Sequence, residues 1–152
     1  MKDTIQKRSL RAKKIKLDIG CGYNKRKDCI GIDISEDSDA DIIASAFDLP
    51  FPDGSVDEIY SNNLIEHFFP NEAKLFFSEI YRVLKKGGRA FIKIDRDWSK
   101  KRLLHKDPTH KYRYSSKDIK KLIINFSKVE IKNKYYFQNR HFRNKIFVDL
   151  IK

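Results

Sequence analysis

The sequence predicts a single-domain α/β protein whose doubly wound sheet is mostly parallel, with one antiparallel strand and few helices. Short apolar runs in the first half of the chain end in an acid or a glycine, as parallel strands do at a ligand-binding edge. Residues 71–84 have the apolar spacing of a helix. Two runs near the end, 128–137 and 145–151, are separated by a stretch short enough for an antiparallel hairpin.

The remaining elements follow in chain order. The connection at residues 21–29 is too short for the usual crossover helix, so we expect a turn or a stunted helix there. Gly87 and Gly88 are expected to end the helix that begins at residue 71. Ser116 is expected to cap a second helix that runs to residue 125. Further strands are predicted at residues 15–19, 30–34, 41–44, 56–60 and 89–94.

The first strand leads into a glycine turn that is typical of a nucleoside-cofactor site. Gly20 permits a tight turn, and Gly22 lets the backbone approach a ligand closely. Asp33, at the end of the second strand, can accept hydrogen bonds from two ribose hydroxyls. Asp18 would repel a pyrophosphate but suits an amino group and a sulfonium, as in S-adenosylmethionine (SAM). Lys25 replaces the third glycine of dinucleotide sites, so an NAD-dependent oxidoreductase is a distant alternative.

Composition indicates one globular domain over residues 1–152, interrupted by no linker and beginning with a flexible basic segment at residues 1–13. The length of 152 residues and the apolar fraction of 40% suit a single core. No window approaches a membrane span, and the N-terminus lacks the apolar segment of a signal peptide, so we expect a cytoplasmic protein. Cys21 and Cys29 lack metal-ligand spacing, so we predict no metal.

Charge is distributed unevenly along the chain. Residues 1–32 carry a net charge of +7, residues 33–84 of −10 and residues 85–152 of +15, within a total of +12. A basic last third favours anionic partners such as nucleic acid, phosphorylated sugars or acidic glycans. The alternative is compositional, because a Lys- and Ile-rich chain can scatter solvated lysines without a function.

Together these residues resemble class I SAM-dependent methyltransferases, in particular the small type 11 group. The resemblance covers nearly the whole chain. It implies a Rossmann-like sheet of seven strands in the order 3-2-1-4-5-7-6, SAM as cofactor and S-adenosylhomocysteine as product. The motifs that carry it are LDIGCG at 17–22, GID at 31–33, DLPF at 48–51, DGSVD at 53–57, LIEHF at 64–68, EIYRVLKKGG at 79–88 and DPTH at 107–110.

The resemblance also implies a set of cofactor-binding residues. The glycine turn, with Asp18 and Cys21, would pass beside the methionine part of SAM, and Asp18 would hold its amino group. Asp33 would bind the ribose hydroxyls, and Ile34 would lie against the adenine. The other implied residues are Phe47, Asp48 and Leu49 around the adenine, and Ser61 and Asn62 just after the fourth strand at the methyl end.

The expected reaction is direct displacement, in which an acceptor nucleophile attacks the SAM methyl group. If the acceptor is a hydroxyl, His67, His110 and then His105 are the candidate bases. Each has a structural alternative: His67 can belong to a helix end, and His110 can anchor a loop.

The sequence indicates the class of methyl acceptor less clearly than it indicates the cofactor. The segment SNNL at residues 61–64 lacks the Asn/Asp-Pro-Pro motif of enzymes that methylate exocyclic amino groups. The resemblance to the small type 11 group implies a small-molecule or saccharide-like acceptor as the leading hypothesis, with an anionic group as one option. Alternatives are an RNA, DNA or protein methyltransferase that uses the basic last third, and a non-catalytic SAM-binding subunit. Because N-terminal capping helices are nearly absent, a partner chain is one source of a lid over the substrate.

Overall fold

A computed structural model describes residues 14–96, 108–138 and 141–152. The predicted flexible segment at residues 1–13 and the candidate base His105 lie outside the described residues. The strands are β1 (Lys16–Ile19), β2 (Ile30–Asp33), β3 (Ile42–Ile43), β4 (Val56–Asn62), β5 (Leu84–Asp95), β6 (Lys128–Gln138) and β7 (His141–Ile151). The helices are α1 (Pro70–Val83) and α2 (Ser116–Leu122), and a 3₁₀ turn covers Ile65–His67.

The seven strands form one sheet in the order β3-β2-β1-β4-β5-β7-β6, which confirms the predicted order. Strands β1 to β5 pair in parallel, whereas β7 is antiparallel to both of its neighbours, β5 and β6. Parallel strands place their carboxyl ends at one edge, so the loops after β1, β2 and β4 meet there. This edge is where the predicted cofactor residues lie.

The core lies between the sheet and the two helices. Side chains along each strand alternate between two faces, and the apolar set points to one of them. On β5 this buried set is Ala90, Ile92 and Ile94. It forms one cluster with apolar residues of the other strands and helices, among them Leu17, Ile59, Phe76, Ile80, Ile119, Val148 and Leu150.

Both described helices therefore pack on the same face of the sheet, here called the covered face. The opposite face is called the open face, and no helix of the described residues packs on it. The predicted absence of a crossover helix between β1 and β2 is confirmed, since residues 20–29 form turns. Among the described residues, no helix is both long and apolar enough to cross a membrane.

Several element boundaries differ from the predictions. Helix α1 ends at Val83, before the glycine pair, because Leu84 is already extended and begins β5. Gly87, with φ +78°, instead shapes the early part of that strand. The cap of α2 is Ser115, not Ser116: its hydroxyl accepts from the Asp118 amide at 3.2 Å. This helix stops at Leu122 instead of residue 125, because the next residue is extended.

The hairpin and the short strand also differ from expectation. Strand β7 begins at His141 and not at residue 145, so the connection predicted over residues 138–144 is shorter. Strand β3 has two residues where four were predicted. Strand β4 extends to Asn62, two residues beyond the predicted end, because its last residues pair with Ile92 and Lys93 of β5.

Arg82 on α1 binds the loop that precedes β4. Its guanidinium donates to Glu79 at 2.6 and 2.8 Å, to Asp53 at 2.7 Å and to the carbonyls of Phe51 and Leu49 at 2.9 and 3.0 Å. The carboxylates of Glu79 and then Asp53 raise the pKa of Arg82 above its ordinary value. This contact ties residues 49–53 to the helix and so fixes the loop that carries Phe47 and Asp48.

We expect Arg82→Lys to lower the free energy of unfolding by about 2 kcal/mol, because a lysine cannot donate in four directions from one plane. Urea denaturation followed by circular dichroism measures the change. The matched control is Arg89→Lys, which removes an exposed guanidinium bonded to a single carboxylate, that of Asp149. It should cost less than about 1 kcal/mol. Equal losses in the two variants would contradict the proposed importance of the Arg82 contacts.

Candidate functional site

The turn after β1 adopts backbone conformations that favour glycine. Gly20 has φ +70° and Gly22 has φ +53°, both in the left-handed region. A Cβ on Gly20 would lie 2.8 Å from the Leu64 side chain, so this glycine also permits close packing. A Cβ on Gly22 would meet nothing within 4 Å, so the backbone there faces open space. The turn thus leaves room for a ligand beside Gly22.

Two predicted ligand acids already bind backbone amides of this turn. Asp18 is buried and its Oδ2 accepts from the Arg26 amide at 2.7 Å. Asp33 accepts from the Gly22 amide at 2.9 Å through Oδ2 and from the Ser35 amide at 3.0 Å through Oδ1. An ionised carboxylate has about four lone-pair sites, so Asp33 retains acceptor capacity for ligand hydroxyls.

A small apolar pocket lies between the ends of β1 and β2 and the loop after β3. Its volume is about 90 Å³. Ile34 is 76% exposed at its mouth, and the Phe47 ring packs on Phe68 with centroids 4.7 Å apart. Two apolar side chains beside a carboxylate suit a flat ring attached to a sugar. The lining residues include Gly20, Asp33, Ile34, Phe47, Leu64 and Phe68.

The other residues predicted near the adenine occupy different environments. Asp48 is exposed and its amide donates to the Ser45 carbonyl at 3.2 Å in a turn. Leu49 is only 2% exposed and belongs to the core, so its side chain does not line the pocket. Its amide donates to Glu79 at 2.7 Å, which holds the loop in place.

Cys21 lies inside the glycine turn and is nearly buried. Burial, followed by the negative charges of Asp33 and Asp18, raises the pKa of its thiol to about 11. The thiol is therefore protonated at neutral pH and contributes a small neutral side chain to the turn.

Ser61 and Asn62 are the last two residues of β4 and do not follow it, which corrects the predicted position. Because side chains alternate along a strand, the two residues point to opposite faces. Ser61 is fully buried on the covered face, and its hydroxyl has no hydrogen-bond partner among the described residues. Asn62 is exposed on the open face, beside Lys93 of β5.

The structure brings the two candidate bases together. The rings of His67 and His110 meet edge to face with centroids 4.7 Å apart. Nδ1 of His67 lies 2.9 Å from Oγ1 of Thr109 and 3.2 Å from its carbonyl oxygen. A proton on Nδ1 can be donated to these oxygens, which leaves Nε2 as the proton acceptor. The His67 amide donates to the carbonyl of Leu64 at 3.0 Å, and Leu64 lines the pocket, whereas neither histidine is among its lining residues.

Glu66 was not predicted as a functional residue. It is fully buried in the 3₁₀ turn after β4, and this burial raises the pKa of its carboxyl to about 7. Oε1 accepts from the Asp95 amide at 3.2 Å, whereas Oε2 has no partner among the described residues. The available sequence signal was an acid placed between apolar residues in the segment LIEHF.

Comparison with solved structures identifies the fold. A SAM-dependent methyltransferase from Archaeoglobus fulgidus matches with a TM-score of 0.76 and 18% identity, over 93% of this chain and 87% of that one. A possible histamine N-methyltransferase from Thermotoga maritima matches with a TM-score of 0.71 and 18% identity, over 91% and 82%. The fold is therefore that of class I SAM-dependent methyltransferases.

A phosphoethanolamine N-methyltransferase from Haemonchus contortus, in complex with phosphomonomethylethanolamine and S-adenosylhomocysteine, also matches. Its TM-score is 0.73 at 18% identity, over 91% of this chain. The chain covers 48% of that enzyme's length. The family model of the methyltransferase domain, type 11, matches residues 17–92, which is half of the chain. The chain belongs to this methyltransferase family.

Substitution of the two glycines should separate backbone strain from packing. We expect Gly22→Ala to lower the free energy of unfolding by about 1 kcal/mol, the cost of a left-handed alanine. Gly20→Ala should lower it by about 3 kcal/mol, because its new methyl group also overlaps Leu64. Urea denaturation provides both values. The double variant Gly20→Ala/Leu64→Ala should lose less stability than the single variants Gly20→Ala and Leu64→Ala lose together, because the smaller side chain removes the overlap. A loss equal to the sum of the two single losses would argue against the overlap.

Glu66 should make stability depend on pH. Its carboxyl has a pKa of about 7 in the folded chain against an ordinary 4.5, so the folded state holds a proton that the unfolded state releases. This stabilisation is complete below about pH 4.5 and is lost as the pH rises through 7, up to about 3 kcal/mol. We expect Glu66→Gln to remove that decline in urea titrations between pH 4.5 and 8. Glu36→Gln, at an exposed position, is the control and should show the same decline in stability with rising pH as the unmodified chain.

Proposed function

We propose that this chain transfers the methyl group of SAM to a small acceptor at the carboxyl edge of β1, β2 and β4. The observation that carries the proposal is the combination of the glycine turn, the Asp33 carboxylate and the apolar pocket beside it. The Gly22 backbone faces open space, Asp33 retains acceptor capacity, and Ile34 is an exposed apolar side chain next to Phe47. These features match the polar and apolar parts of an adenosine group.

Each side chain would have a defined task in binding. Asp33 would accept hydrogen bonds from the ribose hydroxyls while it continues to hold the Gly22 amide. Ile34 and Phe47 would cover the adenine, and burial of their apolar surface would contribute to affinity. Asp18 lies beneath the turn and would attract the amino group through its negative charge. Asn62 would lie at the methyl end.

When bound, SAM supplies a methyl group on a positively charged sulfonium: a nucleophile can attack this methyl carbon, and the neutral thioether is the leaving group. The chain's own contribution is mainly to orient the acceptor and to exclude water. If the acceptor is a hydroxyl, Nε2 of His67 would receive its proton, with Thr109 and His110 holding the ring. An amine acceptor would need no such base.

The matched structures favour a small acceptor over a polymer, because two of them are described with small-molecule acceptors. The Haemonchus contortus enzyme is described in complex with a small phosphorylated amine, and the Thermotoga maritima protein is described as a possible histamine N-methyltransferase. We propose a small-molecule or saccharide-like acceptor, with an anionic group in keeping with the basic last third of the chain.

The first experiment is calorimetric titration with S-adenosylhomocysteine. We expect binding in the micromolar range, with NAD giving no heat. Asp33→Asn should weaken binding at least tenfold, because an amide accepts fewer hydrogen bonds than a carboxylate.

The matched control for this experiment is Asp41→Asn. Asp41 also accepts from a backbone amide, that of Gly31 at 2.7 Å, but does not line the pocket. The Asp41→Asn variant should bind S-adenosylhomocysteine with an affinity within about threefold of that of the unmodified chain. Equal weakening in both variants would show that the acids act only by holding the loop. A folded chain that does not bind S-adenosylhomocysteine would overturn the proposed stand-alone enzyme.

A further inference from the structure

The open face of the sheet carries a second and larger hollow. A doubly wound sheet normally has helices on both faces, but here α1 and α2 both pack on the covered face. The hollow has a volume of about 350 Å³, against about 90 Å³ for the pocket beside Asp33. A volume of this size is within the range of small-molecule sites.

Strand register places the lining residues in two rows across the open face. One row contains Asn62, Lys93, Phe147 and Lys132, which are neighbours on β4, β5, β7 and β6. The next row contains Tyr60, Phe91, Asp149 and Glu130 on the same strands. Arg26, from the turn after β1, closes one side with its guanidinium 4.2 Å from the Tyr60 ring centroid.

Aromatic side chains provide flat apolar surface in this hollow. The rings of Tyr60 and Phe91 stack with centroids 5.3 Å apart and an angle of 15°. Phe147 lies on the next strand, and the Lys134 ammonium is 4.9 Å from its ring centroid. A ring of a ligand can stack on such surfaces.

The charges in the hollow are unequally paired. Its two carboxylates already have partners: Glu130 with Lys132 at 2.7 Å and Asp149 with Arg89 at 2.9 Å. Three cations that line it, Arg26, Lys93 and Lys134, have no carboxylate within 4 Å among the described residues.

The charged form of Lys93 is disfavoured by its surroundings in the hollow. Lys93 is half-buried, and burial together with the nearby Lys145 charge lowers the pKa of its ammonium group. An anionic group beside Lys93 would compensate both effects.

Position connects this hollow to the edge of the candidate cofactor site. Asn62, which would lie at the methyl end, lines the hollow and is the register partner of Lys93. On the basis of the proposed methyl transfer, we infer that this hollow receives the acceptor, and that the acceptor combines a flat ring with a phosphate, sulfate or carboxylate group. A nucleic-acid backbone fits less well, since Glu130 and Asp149 would repel a continuous row of phosphates.

Phenyl phosphate is a suitable probe, because it has one ring and one anionic group. Two-dimensional ¹H–¹⁵N NMR titration of the full chain locates its binding. We expect saturable shifts at the amides of Asn62, Lys93 and Phe147. Phenol and inorganic phosphate, each carrying half of the recognition, should bind at least tenfold more weakly.

Variants test the role of the charges. Lys93→Met should weaken phenyl phosphate binding by about tenfold, and Lys134→Met should weaken it severalfold. The matched control is Lys120→Met, which removes a lysine from another hollow, of about 470 Å³, beside α2 and β6. The inference is overturned if the shifts instead centre on the hollow beside α2, if phenol binds as well as phenyl phosphate, or if Lys120→Met has the same effect as Lys93→Met.

Calorimetry with S-adenosylhomocysteine on the same proteins separates this inference from the proposed function. Lys93→Met should bind S-adenosylhomocysteine as the unmodified chain does, because Lys93 is not placed in the cofactor site. If the unmodified chain binds phenyl phosphate at the open face but not S-adenosylhomocysteine, the methyl-transfer proposal fails and the hollow is an anion site of another kind. If it binds S-adenosylhomocysteine but not phenyl phosphate, only the inference about the acceptor fails.

Discussion

Hydrogen bonds that backbone amides donate to aspartate carboxylates hold together the part of the chain that shapes the candidate cofactor site. The crossover between β1 and β2 contains no helix, so its amides cannot find helical partners. A buried amide without a partner costs about 1 to 3 kcal/mol, which makes these carboxylates structurally necessary. The acids that a ligand would use are thus the same acids that fold its site. The pairs are Asp18 with the Arg26 amide and Asp33 with the Gly22 amide.

Reduction of the helices also explains the chemistry of the open face. Because no described helix covers it, its strands carry charged and aromatic side chains where a fully covered parallel sheet would carry aliphatic ones. Most of these charges are paired across neighbouring strands, as Lys16 is with Glu58 at 3.1 Å and Arg89 with Asp149 at 2.9 Å. The pairing lets the face meet water, and the cations left over give the hollow its preference for anions.

The resemblance to class I methyltransferases implied the strand order that the structure has, and the glycine and acid motifs marked the ends of β1 and β2 directly. The sequence predicted the limits of elements less well: α1 ends at Val83 because Leu84 is needed in the core, a fact that depends on tertiary packing. Ser61 faces inward because strand β4 runs two residues further than its apolar pattern suggested. Lys93 was not predicted because nothing local in a sequence shows which charged residues neighbouring strands will enclose. Glu66 was not predicted because an acid between apolar residues does not by itself indicate burial.

Strand β7 is the last strand in the sequence, yet it lies inside the sheet. Its residues Ile146, Val148 and Leu150 are buried, and β5 and β6 pair with it on either side. Synthesis produces β1 to β5 before β7, and a parallel sheet of these strands alone would leave unpaired backbone groups along its β5 edge. Such an edge readily pairs with strands of other chains. Each newly made molecule therefore remains open to wrong strand pairing, or to capture by a chaperone, until residue 151 has been synthesised and β7 has entered the sheet.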